Sequence, residues 1–397
     1  MNRLQLSRLA RSFLLLIPLL LIFSWAGGAT ADTRSAGKQV YSTEPSAKPD
    51  GTRWRIGYMQ SGDYGDYPLT LAAVVEGLEK LGWLTLENEI PSPIDGGSLW
   101  SWLTENTRSD YLEFVPDARW QPGNFDADQR PKVRQAIEQR IKERGDIDLI
   151  IGMGTWAGQD LRALGPPVPT IIGSTSDPIG ARIADSAQDS GRDNLHTRIE
   201  PERYQRQVRL FHEIVGFRSL GIVFENSEAG RTYAAVSAVQ QVAAERGFTV
   251  VECHAPSSSI ELEQAITNAV DCYRSLAAKR IDAVYVTTHR GVTSSSIATI
   301  ANTLERARIP SFSMAGSRDV AKGILLSLAQ ADVSYVGLFH AETIARIFNG
   351  ALPRQLSQLW IDPPKIALNL GTARAIGFDP PVDILLAADE VYEGKTP

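Results

Sequence analysis

The chain is short of several features on which a reading of function usually leans. Among 397 residues there are two cysteines, four methionines and five histidines. The histidines (His196, His212, His254, His289 and His340) stand singly, without the H-E-x-x-H spacing that puts two ligands on one helix face for zinc. No G-x-S-x-G segment supplies a nucleophile elbow. Positive charge is not in excess: 40 Lys and Arg stand against 46 Asp and Glu, a formal −6. That balance argues against nucleic acid, which wants a basic face. Beyond the first 25 residues no apolar run reaches membrane-spanning length. Catalytic and metal residues are therefore not expected, nor is a cofactor.

The one long apolar run reads as a secretory leader over residues 1–31. Arg3, Arg8 and Arg11 form a basic start, Phe13–Trp25 an apolar core, and Ala29-Thr30-Ala31 a small-residue cleavage site. An uncleaved anchor is the alternative. No Cys follows the core, so a lipid-modified N-terminus is not expected. Loss of the three leader arginines takes the formal charge from −6 to −9. Export to the periplasm places Cys253 and Cys272 in an oxidising compartment, where two cysteines can pair or stay as free thiols. Cys253 closes one strand and Cys272 sits in the following helix, so the pair is within reach.

Residues 32–52 are polar and rich in Pro, Ser and Lys, which predicts a flexible lead-in. The organising stretch is Asp146–Pro178. Two short β-branched runs, Ile147–Ile151 and Pro169–Ile172, flank an amphipathic segment closed by Gly165, the grammar of a parallel β-α-β unit. The same alternation runs from Arg53 to the end of the chain. It predicts two doubly wound parallel-sheet α/β lobes: 53–178 plus 322–352, and 196–316 plus 356–380. Three crossings between them would form a hinge. A tail follows at 381–397. Residues 92–130, rich in Pro, Gly, Asp and aromatics, interrupt the alternation and read as an insertion, either a surface flap or a lid. The aperiodic Gly180–Thr197 reads as the first crossover.

The series IGYMQSGDY, LIIGMGTWAGQDL, PTIIGSTSDPIGARIADS, GIVFENSEAG, AVYVTTHRGVTS and LNLGTARAIGF resembles the tryptophan-type substrate-binding proteins of ABC transporters. The resemblance covers about Arg53–Tyr392. It implies a type 1 periplasmic-binding-protein fold that closes on a small ligand, an aromatic amino acid in known relatives, and delivers it to an ABC permease with its ATPase. Two departures lie near the expected cleft: Ala181-Arg182-Ile183 and Gly191-Arg192-Asp193-Asn194-Leu195 stand where the family has other residues.

Ligands of open α/β sheets gather outside the carboxyl ends of strands, which selects the candidates. Thr155 opens a helix, where it can cap the terminus or leave it to receive an anion. Ser174 and Thr175 offer neutral hydrogen bonds, and Asp177 either pairs with an ammonium or makes a turn before Pro178. Tyr64, Tyr67 and Trp156 present ring faces. Across the cleft stand Asn226, Tyr233, Thr288, His289, Arg290 and Ser313, with His289 and Arg290 able to hold an anion. Gly152–Ala157 also fits G-x-G-x-x-A, with Asp177 further on, a dinucleotide-type alternative. A second alternative keeps the cleft but feeds a membrane sensor in place of a permease.

Overall fold

The computed structural model describes residues 40–328, 333–361 and 365–396; the expected leader lies outside the described residues. From Tyr41 onward the chain is one unit built on two sheets. The first is assembled by β1 (Trp54–Gln60), α1 (Asp66–Lys80), a small ladder of β2 (Thr85–Leu86) with β3 (Thr107–Arg108) around α2 (Gly96–Asn106), β4 (Leu112–Trp120), α3 (Arg130–Arg144), β5 (Leu149–Met153), α4 (Thr155–Leu164), β6 (Thr170–Gly173) and β7 (Leu195–Thr197). Its order is β4-β1-β5-β6-β7, all parallel. Alternation along a strand feeds two cores, as a sheet covered on both faces requires. Leu149, Ile151 and Met153 enter one core and Ile150 the other.

The second sheet follows α5 (Arg203–Val215). Its elements are β8 (Ser219–Phe224), α6 (Glu228–Tyr233), α7 (Val236–Arg246), β9 (Thr249–His254), α8 (Leu262–Ala278), β10 (Ala283–Val286), α9 (Ile297–Arg306), β11 (Ser311–Ser313), α10 (Ser317–Ala321) and β12 (Leu326–Leu328). Then α11 (Ser334–Phe348) leaves for the first lobe. The chain returns through β13 (Ile366–Asn369), α12 (Leu370–Ile376), α13 (Val382–Ala387) and β14 (Ala388–Tyr392). The order is β14-β13-β12-β11-β10-β8-β9, parallel except where β13 runs against β12. The fold is the expected one, two α/β lobes with the chain crossing between them.

The helix α11 is fixed to the first lobe by close approach to α1. A Cβ on Gly77 would sit 2.8 Å from the Ala341 methyl, and one on Gly337 would collide with the Ala73 backbone. Beneath this seam Leu71, Val74, Val75 and Leu78 of α1 are buried, each contributing roughly 1.5–3 kcal/mol. Cys253 of β9 and Cys272 of α8 form a disulfide that staples an edge strand to its covering helix.

Several expectations need correction. Residues 92–130 are largely built into the first lobe: β4 is an edge strand of the first sheet and α2 packs beside it, with Trp100 and Phe114 in the main core, while Phe125 reaches the cavity. Residues 196–197 do not open the second lobe, because β7 is the first sheet's fifth strand; the crossing comes at 198–202. Of the segment 322–352 only α11 joins the first lobe, since β12 pairs with β11. The tail from 381 supplies β14, paired with β13. Between α6 and α7 the chain breaks at Ala235, whose φ is +48°. The lead-in from Tyr41 is tied down: Trp83 Nε1 donates to Thr43 O at 2.9 Å, and Lys48 Nζ donates to Asp148 Oδ1 at 2.8 Å.

Two of the crossings touch. Ile199 N donates to Gln358 O at 2.8 Å and Trp360 N to Ile199 O at 3.1 Å, a single parallel bridge between the outgoing and returning chains. The hinge is thus a short ladder rather than separate threads.

Candidate functional site

A cavity of about 160 Å³ lies between the lobes, at the carboxyl ends of strands from both sheets. From the first lobe it receives Ser61 and Tyr64 after β1, Tyr67 of α1, Phe125 after β4, Thr155 and Trp156 at the start of α4, and Ser174–Ser176 after β6. The second lobe supplies Arg203 and Tyr204 of α5, Tyr233 of α6, Ser257 and Ser258 after β9, Thr288 and Arg290 after β10, and Arg318 of α10. Arg198 reaches it from the crossing. Both lobes therefore aim their loop ends at one space, as open α/β sheets do.

The first-lobe lip is locked by hydrogen bonds and ring packing. Ser61 Oγ donates to Met153 O at 3.1 Å and accepts from Ala157 N at 3.1 Å, so Ser61 caps α4 from another loop. Gly154 turns into that helix at φ +92°, where a Cβ would collide with the Tyr67 hydroxyl. Tyr67 and Ser61 thus fill the space over this Gly turn that a pyrophosphate would need in the dinucleotide alternative. Phe125 stands edge-on to Trp156 at 5.9 Å, and the Arg130 guanidinium lies 4.7 Å over the indole while gripping Asp160 at 2.9 and 3.0 Å. Phe125 and Ser174 at the cavity hold φ of +60° and +51°, uncommon for residues with side chains.

Charge is distributed unevenly. Arg318 Nη2 donates to Asp66 Oδ1 at 2.6 Å, an ion pair that joins the two lobes. Ser259 N donates to Phe125 O at 3.0 Å, a second link between the lobes. Arg290 is 8% exposed; its Nη1 donates to Ser257 O and Ile260 O at 2.7 and 2.6 Å, and burial lowers its pKa from the usual arginine value. Burial raises the pKa values of Tyr64, Tyr67 and Tyr233, so these phenols stay neutral donors.

Of the sequence candidates, Tyr64, Tyr67, Thr155, Trp156, Ser174, Thr175, Tyr233, Thr288 and Arg290 meet in this cavity. Four do not line it. Asp177 accepts from Gly180 N at 2.8 Å and makes a turn. Asn226 is exposed outside the cavity. His289 is a neutral clamp, its Nε2 donating to Ala255 O and its Nδ1 accepting from Gly291 N, both at 2.9 Å; burial lowers its pKa. Ser313 donates to Asp319 at 2.6 Å. Thr155 is the first helical residue, with Gly154 at the cap position. Missed by the sequence were Ser61, Phe125, Arg198, Arg203, Tyr204 and Arg318.

The chain is similar in fold to solved structures of low sequence identity. One, described as an ABC domain in complex with L-Trp from Streptococcus pneumoniae, has a TM-score of 0.64 at 19% identity, covering 85% of this chain and 99% of that one. A conserved domain protein of Vibrio cholerae has a TM-score of 0.62 at 20% identity over 85% and 99%. A ligand-free, open substrate-binding protein with adhesive properties from Clostridium difficile has 0.54 at 20% over 86% and 100%. A search of curated proteins returns no match. Among the described residues no helix is long and apolar enough to cross a membrane. A family model described as ABC transporter substrate binding protein matches residues 117–392, well over half of the chain, and the chain belongs to that family.

Proposed function

We propose that this chain is a periplasmic solute receptor, exported by its leader, that closes its two lobes on one small ring-bearing ligand and delivers it to an ABC permease and its ATPase. The observation that carries the reading is the cavity itself: loop ends of both sheets meet there, and links between the lobes lie at its mouth. A ligand that touches both lobes has a higher affinity for the closed arrangement, which is what a population shift needs. The side chains do binding work. Tyr67, Phe125, Trp156 and Tyr233 offer ring faces, and the serines offer neutral hydrogen bonds. The relative solved with L-Trp supports an aromatic ligand, and an aromatic amino acid was the sequence expectation.

The test is a thermal-shift screen of the mature protein over amino acids, aromatic acids, sugars and nucleosides, followed by small-angle scattering with each hit. A saturating ligand is expected to raise the melting temperature by mass action and to reduce the radius of gyration. Hits that leave the dimensions unchanged count against closure, and a screen with no hit counts against the receptor reading.

A further inference from the structure

The cavity is rich in guanidinium and poor in carboxylate. Arg198, Arg203, Arg290 and Arg318 line it, against Asp66 as the one acidic lining residue among the described residues. Asp66 is already engaged by Arg318 at 2.6 Å. Arg198 and Arg203 lie beside Glu200, at 3.6 and 3.7 Å. Arg290 stands apart. It is more than nine-tenths buried, its Nε has no hydrogen-bond partner, and among the described residues no carboxylate is in ion-pair contact with it.

Comparison with the chain's other arginines shows which edge of Arg290 is unused. Arg130, Arg140, Arg209 and Arg354 each hold a carboxylate through the Nε and Nη2 pair, whose spacing matches the two oxygens. Arg290 uses Nη1 alone, on the carbonyls of Ser257 and Ile260, which holds the guanidinium in place. Its Nε and Nη2 edge is the one a carboxylate would take. Phe125 packs 5.6 Å from the same guanidinium and 5.9 Å from the Trp156 ring, so an apolar wall adjoins the cation. Glu261, Asp63 and Glu225 act on this buried guanidinium only from a distance, so a carboxylate in direct contact would offset its burial further.

Among the described residues an ammonium finds no equivalent partner. Asp66 is taken by Arg318, and Asp177 lies in a turn away from the cavity. A cavity of about 160 Å³ is close to the roughly 150 Å³ of an apolar protein cavity that binds benzene, so a single ring is accommodated as the lobes stand. The zwitterionic head of an amino acid would meet the guanidinium but, among the described residues, no lining carboxylate other than the engaged Asp66.

We propose that the ligand is a single-ring aromatic carboxylate without an ammonium group, its carboxylate held by Arg290 and its ring set against Phe125 and Trp156. The proposal rests on the receptor reading above and names its ligand class. Titrations of the mature protein, followed by calorimetry and tryptophan fluorescence, test it with benzoate and its hydroxy- and carboxy-substituted forms, benzamide, L-phenylalanine and L-tryptophan. At least one arene carboxylate is expected to saturate the protein, with its neutral amide and both amino acids about 100-fold weaker. Arg290→Gln is expected to lose about 100-fold in affinity for that acid, the usual scale for removing one partner of a buried charge pair. Arg290→Lys, which keeps the charge without the fork, recovers part of the loss. Should Arg290→Gln not fold, the acid-against-amide comparison on the unaltered protein carries the test. Equal affinity for acid and amide, tighter binding of either amino acid, or full affinity in folded Arg290→Gln overturns the proposal and leaves the receptor reading standing. Absence of binding by any arene carboxylate also overturns it. Failure across sugars and nucleosides as well would remove the receptor reading itself.

Discussion

The turn at Gly154 is held from three directions: by its own φ of +92°, by the Tyr67 hydroxyl and by Ser61 Oγ, which a Cβ there would meet at 2.6 Å. Gly154→Ala is therefore expected to cost about 1–3 kcal/mol through backbone strain, with more from displacing Tyr67. Ser61→Ala removes the cap on Ala157 N and is expected to cost about 1 kcal/mol. Urea denaturation of both variants checks the ranking, and equal midpoints would mean that the turn relaxes without strain. The ion pair of Asp66 and Arg318 is a different case, because both side chains remain partly exposed, at 34% and 48%. Exposed pairs contribute about 0–1 kcal/mol, so Asp66→Asn is expected to weaken ligand affinity by no more than about fivefold. A larger loss in calorimetry would mean that Asp66 touches the ligand directly.

Elements differ in how clearly they announce themselves, and the difference follows their place in the sheet. Interior strands such as β5 (LIIGM) and β10 (AVYV) are covered on both faces and read as unbroken apolar runs. The edge strands β4 (LEFVPDARW) and β7 (LHT) pair on one side, and β4 keeps charges and even Pro116, which an edge tolerates. Reading β4 as an insertion also hid Phe125, and reading β7 as a crossover hid Arg198 and Arg203, because cavity residues follow strand ends. The candidates that lie outside the cavity were at strand ends too, but Asp177 and Ser313 are spent on local hydrogen bonds that spacing cannot reveal. The disulfide on the edge strand β9 closes a loop of 19 residues, worth about 3 kcal/mol on a loop-closure estimate. Reduction or paired Cys→Ser replacement is expected to lower stability by that amount, measured in urea. Buried histidines add a pH dependence at the other end of the fold. Burial depresses His196 of β7 to about 4 and His340 of α11 to about 3, below the unfolded value near 6.5. Their contribution is fully present above pH 6.5 and is lost as pH falls toward 4, since the unfolded chain then binds more protons. His340→Leu is expected to flatten unfolding free energy against pH between 6.5 and 4.5, and an unchanged slope would place the acid sensitivity elsewhere.

At the scale of the whole molecule, the proposed closure would be a motion of two well-packed lobes about a hinge whose outgoing and returning chains already pair at Ile199 and Leu359. Each lobe has its own cores, so the soft coordinate is the angle between them, not the shape of either. Contacts between the lobes include Asp66 to Arg318, Arg182 to Glu228, Phe125 to Ser259 and to Arg290, and a 3.4 Å approach of Ala127 N to Ser259 Oγ. On the proposed reading, a ligand bridging Arg290 and Trp156 adds to these contacts in the closed form and so shifts the balance toward it. The approach of Ala127 to Ser259 gives a direct handle on that balance. In the double variant Ala127→Cys with Ser259→Cys, oxidation is expected to cross-link the lobes, reduce the radius of gyration without ligand, and slow exchange of a bound arene carboxylate by orders of magnitude. Reductant should restore both, while each single variant behaves as the parent. A cross-link that forms and leaves exchange fast would mean that ligand enters by another route, and the mouth between Phe125 and Ser259 would then not be the gate.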